Sequence, residues 1–274
     1  MSNPTGVKSH SPLPDRAAAL MTEPPAESLL FDVVPPPTPV ERLLHLADQY
    51  TQHNDGLDLF LGTPSPPAPD AHVGSAQSLV VGTQSAIKAI QDERLYESVE
   101  LAETIRRLKQ LAFLTSSSVD LGAGAARELT ALAPEAAVGC AVTLAGETRR
   151  RRWATAPAPD DRLTAVHRMA LAEIACGHVV ASSSLGREFT RSREPKVLMS
   201  TLRVLETKGL AERTAGSAPA AYVGGPPLDR VRLTGAGITA LASVIGSPPA
   251  GPSTVPGPTP HPLPATAEAA TRSR

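Results

Sequence analysis

The chain has 274 residues, 28 of them proline and 20 glycine, and only 3% are aromatic. A core must therefore be built from Leu, Val, Ile and Ala, which suits small helical units better than a large sheet. The net charge of −1 hides an asymmetry: residues 1–148 carry nine Lys or Arg against 18 Asp or Glu, whereas residues 149–232 carry 15 against 8. Two cysteines, Cys140 and Cys176, exclude a disulfide framework. No signal peptide is apparent at the N-terminus, and no apolar stretch approaches the roughly 20 residues that cross a bilayer, so a soluble cytoplasmic protein is expected, with no membrane partner.

In chain order, residues 1–37 are rich in Pro, Ser and Ala and are expected to be disordered. Thr38-Pro39-Val40-Glu41 reads as a capping box with proline at the first helical position. It opens an amphipathic helix in the unit 38–60, carried by Val40, Leu43, Leu44, Ala47 and Tyr50 and expected to end before Asn54-Asp55-Gly56. A Pro-rich linker follows, over 61–74.

Residues 75–148 form a helical region. Thr83 to Leu121 holds neither Gly nor Pro, and Ile105, Leu108 and Ala112 share a face, which predicts one long amphipathic helix over about Thr83–Leu114. A shorter helix is expected at Ala123–Leu132 and a weak strand at Val138–Leu144. A helix of that length has little partner surface within the chain, so two readings stand side by side: a helical hairpin, or a homodimer formed through 83–132.

Arg149, Arg150, Arg151 and Arg152 open a basic linker over 149–159 and are candidates for a DNA arm or phosphate anchor. Beyond it, Asp160 and Asp161 are expected to cap a helix bearing Leu163, Val166, Met169, Ala170 and Ile174, ended by Gly177. Val179-Val180-Ala181 suggests a single strand, and Ser182–Ser184 the cap of a short helix, Leu185–Phe189. After a polar turn at Thr190–Arg193, a second helix is predicted over about Glu194–Lys208, burying Leu198, Leu202 and Leu205 and ended by Gly209. Leu210–Arg213 and Arg230–Leu233, joined by a Gly/Pro-rich loop, read as a β-hairpin, and Thr234 as the cap of a last helix with Ile238, Leu241 and Ile245. Residues 247–274, with eight prolines, are expected to be a disordered tail.

Two runs in this segment carry a family resemblance. Leu202-Arg203-Val204-Leu205-Glu206-Thr207-Lys208-Gly209-Leu210 resembles the end of a recognition helix, L-x-x-L-E-x-K-G-L. Val231-Arg232-Leu233-Thr234-Gly235-Ala236-Gly237 resembles the V-x-L-T-x-x-G that closes a wing. Together they resemble the winged helix-turn-helix of MarR-like and PadR-like bacterial repressors, over residues 160–246. The resemblance implies a mainly α protein: an N-terminal helical segment, a C-terminal winged helix-turn-helix with a small β-hairpin, and disordered termini. It implies a transcriptional regulator that binds double-stranded DNA at the nucleoid.

A helix fits the major groove, where base edges are distinguishable, and Arg can bond guanine bidentately. The candidate DNA-binding residues are Arg187, Arg191, Arg193, Lys196, Ser200, Arg203, Arg213, Arg230 and Arg232. The loop Ser217–Tyr222 lacks the cations often found at a wing tip.

Enzymatic chemistry is not expected, nor is a cofactor. His167, Glu173, Cys176 and His178 lie close in sequence, but their spacing matches no structural zinc pattern. Gly122-Ala123-Gly124 lacks the Lys-Ser/Thr of a phosphate loop, and the serine runs at 116–118 and 182–184 have no neighbouring base. Two other readings use the same fold: a protein-interaction adaptor, and an architectural plasmid or nucleoid protein.

Overall fold

Thr38 starts the first element as its sequence predicts. In the computed structural model, which describes residues 35–63, 68, 70–93, 98–151, 163–184, 186–193 and 195–247, helix α1 spans Pro39–Leu61. The Thr38 hydroxyl accepts from the Glu41 amide at 3.3 Å, and Glu41 Oε2 accepts from the Thr38 amide at 2.8 Å, so the capping box is complete.

The helix does not stop at Asn54-Asp55-Gly56. Those turn-forming residues use their side chains for distant contacts instead. Asn54 donates to the Thr130 carbonyl at 2.9 Å and accepts from its hydroxyl at 2.6 Å, while Asp55 pairs with Arg230. α1 is a central spine whose buried residues, Leu43, Leu44, Leu46, Ala47, Tyr50 and Leu57 among them, leave little of it in solvent.

The long helix expected over Thr83–Leu114 is two helices, α2 (Val73–Asp92) and α3 (Val99–Ser118). Ser98, in extended conformation, caps α3 by accepting from the Leu101 amide at 3.2 Å. The absence of Gly and Pro concealed this break, because a serine cap interrupts a helix as well as a glycine does. The two helices pack on each other, α2 also on α1 and α3 also on α4 and α5, so the premise that a long helix lacked partner surface falls away. Tyr50 ties α1, α2 and α3, its hydroxyl lying 3.0 Å from Thr83 Oγ1 and 2.8 Å from Thr115 Oγ1.

Helix α4 (Ala123–Thr130) stands where it was expected, and α5 (Ala133–Arg151) replaces the weak strand at Val138–Leu144. Ala137, Val138, Ala141, Leu144 and Ala145 recur at helical spacing and are buried, a pattern too rich in alanine to hold as a strand. The stretch Ala123–Arg151 is long and apolar enough, by length and composition only, to cross a membrane, a test that the core helix of a folded protein also passes. Half of its most apolar window is buried inside the fold.

Helix α6 (Ala165–Ala175) is capped by Thr164, whose hydroxyl accepts from the His167 amide at 3.2 Å; the expected caps Asp160 and Asp161 lie outside the described residues. Gly177 ends this helix at φ +73°, and a Cβ there would sit 2.5 Å from Thr51 Oγ1 on α1, so both backbone and packing require glycine.

The expected helix at Leu185–Phe189 is corrected. Strands β1 (Val180–Ser184) and β2 (Arg187–Arg191) form an antiparallel hairpin that turns at Gly186, φ +72°. Helix α7 (Met199–Thr207), strands β3 (Ala211–Ala218) and β4 (Leu228–Leu233), and helix α8 (Gly235–Val244) complete the chain of elements. The fold is mainly helical, with one four-stranded antiparallel sheet in the order β2-β1-β4-β3.

Contacts divide the chain into Met1–Pro36 and Pro37–Arg274, and every described helix and strand belongs to the second unit. One buried cluster runs from α1 through α5 to α6, α7 and α8, including Leu144, Leu171, Leu202, Leu205 and Leu241. Residues 38–148 and 163–246 are therefore not separate bodies: α1 packs against β3, α6 and α8 as well as against α2, α4 and α5.

Candidate nucleic-acid interface

Helix α7 begins five residues later than predicted. Pro195 to Leu198 is not helical, and Glu194 lies outside the described residues. Two bonds hold this approach to the sheet. The Val197 amide donates to Ser192 Oγ at 2.9 Å, and its carbonyl accepts from the Thr190 hydroxyl at 2.7 Å. Leu202 and Leu205 bury one face of α7, whereas Leu198, expected to be buried with them, is exposed at the N-cap. The solvent face carries Ser200, Arg203, Val204 and Thr207, with Lys196 exposed just ahead of it.

Eight of the nine candidate residues fall into three groups, and Arg193 stands apart from them. Lys196, Ser200, Arg203 and Arg213 gather around α7. Arg203 donates to Glu188 Oε2 at 3.0 Å and Arg213 to Glu188 Oε1 at 2.8 Å; Arg213 also grips both oxygens of Glu206, at 2.5 and 2.9 Å. Hydrogen bonds from Arg213 and then Arg203 hold the Glu188 carboxyl below the usual glutamate range. Arg203 remains largely exposed, so one edge of its guanidinium still faces solvent.

Arg187 and Arg191 form the second group, on the opposite face of the β1–β2 hairpin. Alternation along β2 sends Glu188 and Thr190 towards α7 and Arg187, Phe189 and Arg191 away from it. Arg193, in the turn after β2, donates to Glu135 Oε1 at 2.5 Å, which ties the approach to α7 to the start of α5.

Arg230 and Arg232 are the third group, and α1 holds both in ion pairs. Arg230 is 8% exposed, donates to Asp55 at 2.7 and 2.5 Å, and bonds the Gly177 carbonyl at 2.6 Å. Arg232 grips Asp48 at 2.8 and 2.5 Å. Both aspartates lie on α1, which covers this part of the sheet, so two cations expected at the base of the wing are structural.

The arginine run is also corrected. Arg149, Arg150 and Arg151 form the last turn of α5, favourably placed at a helix C-terminus, rather than a linker; Arg152 and Trp153 lie outside the described residues. Arg149 donates to the Ser243 carbonyl near the end of α8 at 3.0 Å, and Arg150 and Arg151 reach the buried Glu147 at 2.5 and 3.4 Å. The loop between β3 and β4 is uncharged, with Tyr222 and Val223 exposed.

His178 stands between two carboxylates, with Nδ1 2.9 Å from Glu173 and Nε2 2.7 Å from Glu135. Burial, reinforced by Glu173 and Glu135, pushes the nearby Cys176 thiol up to about 12. Among the described residues no group of three or more His, Cys, Asp or Glu is arranged to hold a metal ion.

Sequence reasoning missed the carboxylates that organise these cations, Glu135, Glu188, Asp48 and Asp55, and it missed Phe189. The period-two run Arg187-x-Phe189-x-Arg191 was the available signal for the last, obscured by the expectation of a helix there. No family model matches the chain, and comparison with curated proteins and with solved structures finds no match.

Proposed function

We propose that this protein is a non-enzymatic regulator that binds double-stranded DNA, with α7 as the helix that enters the major groove. The observation that carries this reading is the placement of α7. It lies beside the β3–β4 hairpin and presents Lys196, Ser200, Arg203 and Thr207 outward, while Leu202 and Leu205 anchor it from behind. Arg can read guanine and Ser can contact bases or phosphate, while Arg213 on β3 braces α7 through Glu206 and β2 through Glu188. Such a regulator works at the nucleoid.

The test is fluorescence polarisation on labelled genomic duplexes at about 50 mM salt. Binding that weakens steeply with added salt supports the reading; no binding overturns it. A second reading, a protein-interaction adaptor, draws on a specific observation: Leu198 and Val204 are exposed at α7, and Glu188 offsets Arg203. Replacing Lys196 and Arg203 with Glu separates the two, because an adaptor tolerates the change and a DNA binder does not.

A further inference from the structure

We infer that the open face of strand β2 is a stacking platform for a single strand of nucleic acid. The inference rests on the basic end of the sheet being a nucleic-acid surface, and not on α7 entering a groove.

The platform is built by register. Phe189 pairs with Ser182, Arg187 with Ser184 and Arg191 with Val180, so these six side chains share one face of the hairpin. The serines are too small to cover their partners, and Phe189 is left 48% exposed. β1 pairs with β4 only at Val180 and Ala181, so from Ser182 onward the hairpin projects beyond the rest of the sheet. β2 is an edge strand in the order β2-β1-β4-β3. At about 3.3 Å per residue, Arg187 and Arg191 lie about 13 Å apart with the ring midway.

Charge separates this face from the others. Arg193, Arg203, Arg213, Arg230 and Arg232 each hold a carboxylate, whereas Arg187 and Arg191 are exposed and make no ion pair among the described residues. Across the same face, α1 covers Arg230 and Arg232 with Asp55 and Asp48 and stops short of β2. What stays open is an aromatic ring between two cations whose charge is not already offset. An aromatic face takes an unstacked base and flanking guanidinium groups take phosphates, which is how proteins hold single strands without reading sequence. The chemistry stands on the face of the strand rather than along its edge, which favours this partner over an acidic peptide that would add a strand to β2.

The experiment is polarisation of a labelled single-stranded oligothymidylate with the full chain, run beside a duplex at the same salt. The wild type should bind the oligomer. Phe189→Ala and Phe189→Leu should each weaken that binding about tenfold, Phe189→Tyr should restore it, and Arg187→Glu with Arg191→Glu should abolish it. Circular dichroism and thermal melting check that each variant is folded, and the exposed Tyr and Leu replacements keep the question answerable if the Ala variant is not. Lys196→Glu with Arg203→Glu should weaken the duplex and spare the oligomer. If wild type binds the oligomer but no duplex, the platform stands and the reading of α7 fails. If Phe189→Ala leaves oligomer affinity unchanged, if its effect is confined to the duplex, or if polyglutamate displaces the oligomer as well as unlabelled oligomer does, the platform is overturned.

Discussion

Arg230 and Arg232 on β4 and Arg187 and Arg191 on β2 stand on one face of the same sheet, yet their surroundings differ. The β4 pair lies under α1, each guanidinium locked on an aspartate of that helix. The β2 pair lies beyond the reach of α1, in solvent, on either side of an exposed ring. A cation beside the β3–β4 hairpin is therefore not by itself open to an anionic partner. What separates them is burial: α1 covers Arg230 and Arg232 as it pairs with them, whereas Arg203, though paired with Glu188, stays largely exposed.

The largest effect should come from breaking the covered end. Asp55 and Arg230 are both buried, so Asp55→Ala leaves a guanidinium without its counter-charge and should cost about 3–5 kcal/mol. Urea denaturation measures it. A loss below about 1 kcal/mol would mean that the covered end is not structural.

Lowering the pH attacks the same end from the other side of α1. Burial, with help from His72 and Arg127, depresses His53 to about 4. Unfolded, the ring takes a proton near 6.5, so between those values the unfolded state binds more protons. Stability from this group is complete above about 6.5 and is lost as pH falls towards 4. At pH 5 the loss relative to pH 7 should be about 2 kcal/mol. His53→Gln should lack that increment while keeping the general acid sensitivity of the fold, as urea midpoints at the two pH values would show.

At the open end the readout changes from stability to binding. Lys196→Glu and Arg203→Glu should each weaken duplex affinity roughly tenfold, flatten the salt dependence by about one unit per lost contact, and leave the melting temperature nearly unchanged. The smallest effect concerns Arg193, which Glu135 holds at 2.5 Å. Glu135→Gln should tighten duplex binding by less than about fivefold. The gain should vanish when Arg193 is also replaced by Gln, which separates release of Arg193 from a general loss of negative charge.

Features decided by a few neighbouring residues were legible in the sequence. The capping box at Thr38–Glu41, helix α4, the β3–β4 hairpin and the Thr234 cap of α8 each depend on contacts within one turn or one hairpin. Where a local signal had two outcomes, the reading failed. Ser98 as a cap split an expected helix, alanine spacing turned an expected strand into α5, and Gly186 at positive φ turned an expected helix into the β1–β2 hairpin. The candidate interface was legible as a set of cations but not as a geometry. Asp55 and Arg230 are 175 positions apart and Asp48 and Arg232 are 184, and no local pattern announces that they meet. Nor does the one-dimensional order reveal that Arg187 and Arg203 point to opposite sides of one hairpin.

The central claim is that the open end of the sheet, around α7, binds nucleic acid and the covered end does not. Its most direct test is a salt titration of duplex binding by polarisation, comparing the wild type with the Lys196→Glu, Arg203→Glu double variant at equal folded fraction. The account predicts salt-sensitive binding by the wild type that the double variant loses. No salt-sensitive binding by the wild type, or equal binding by both proteins, would contradict it.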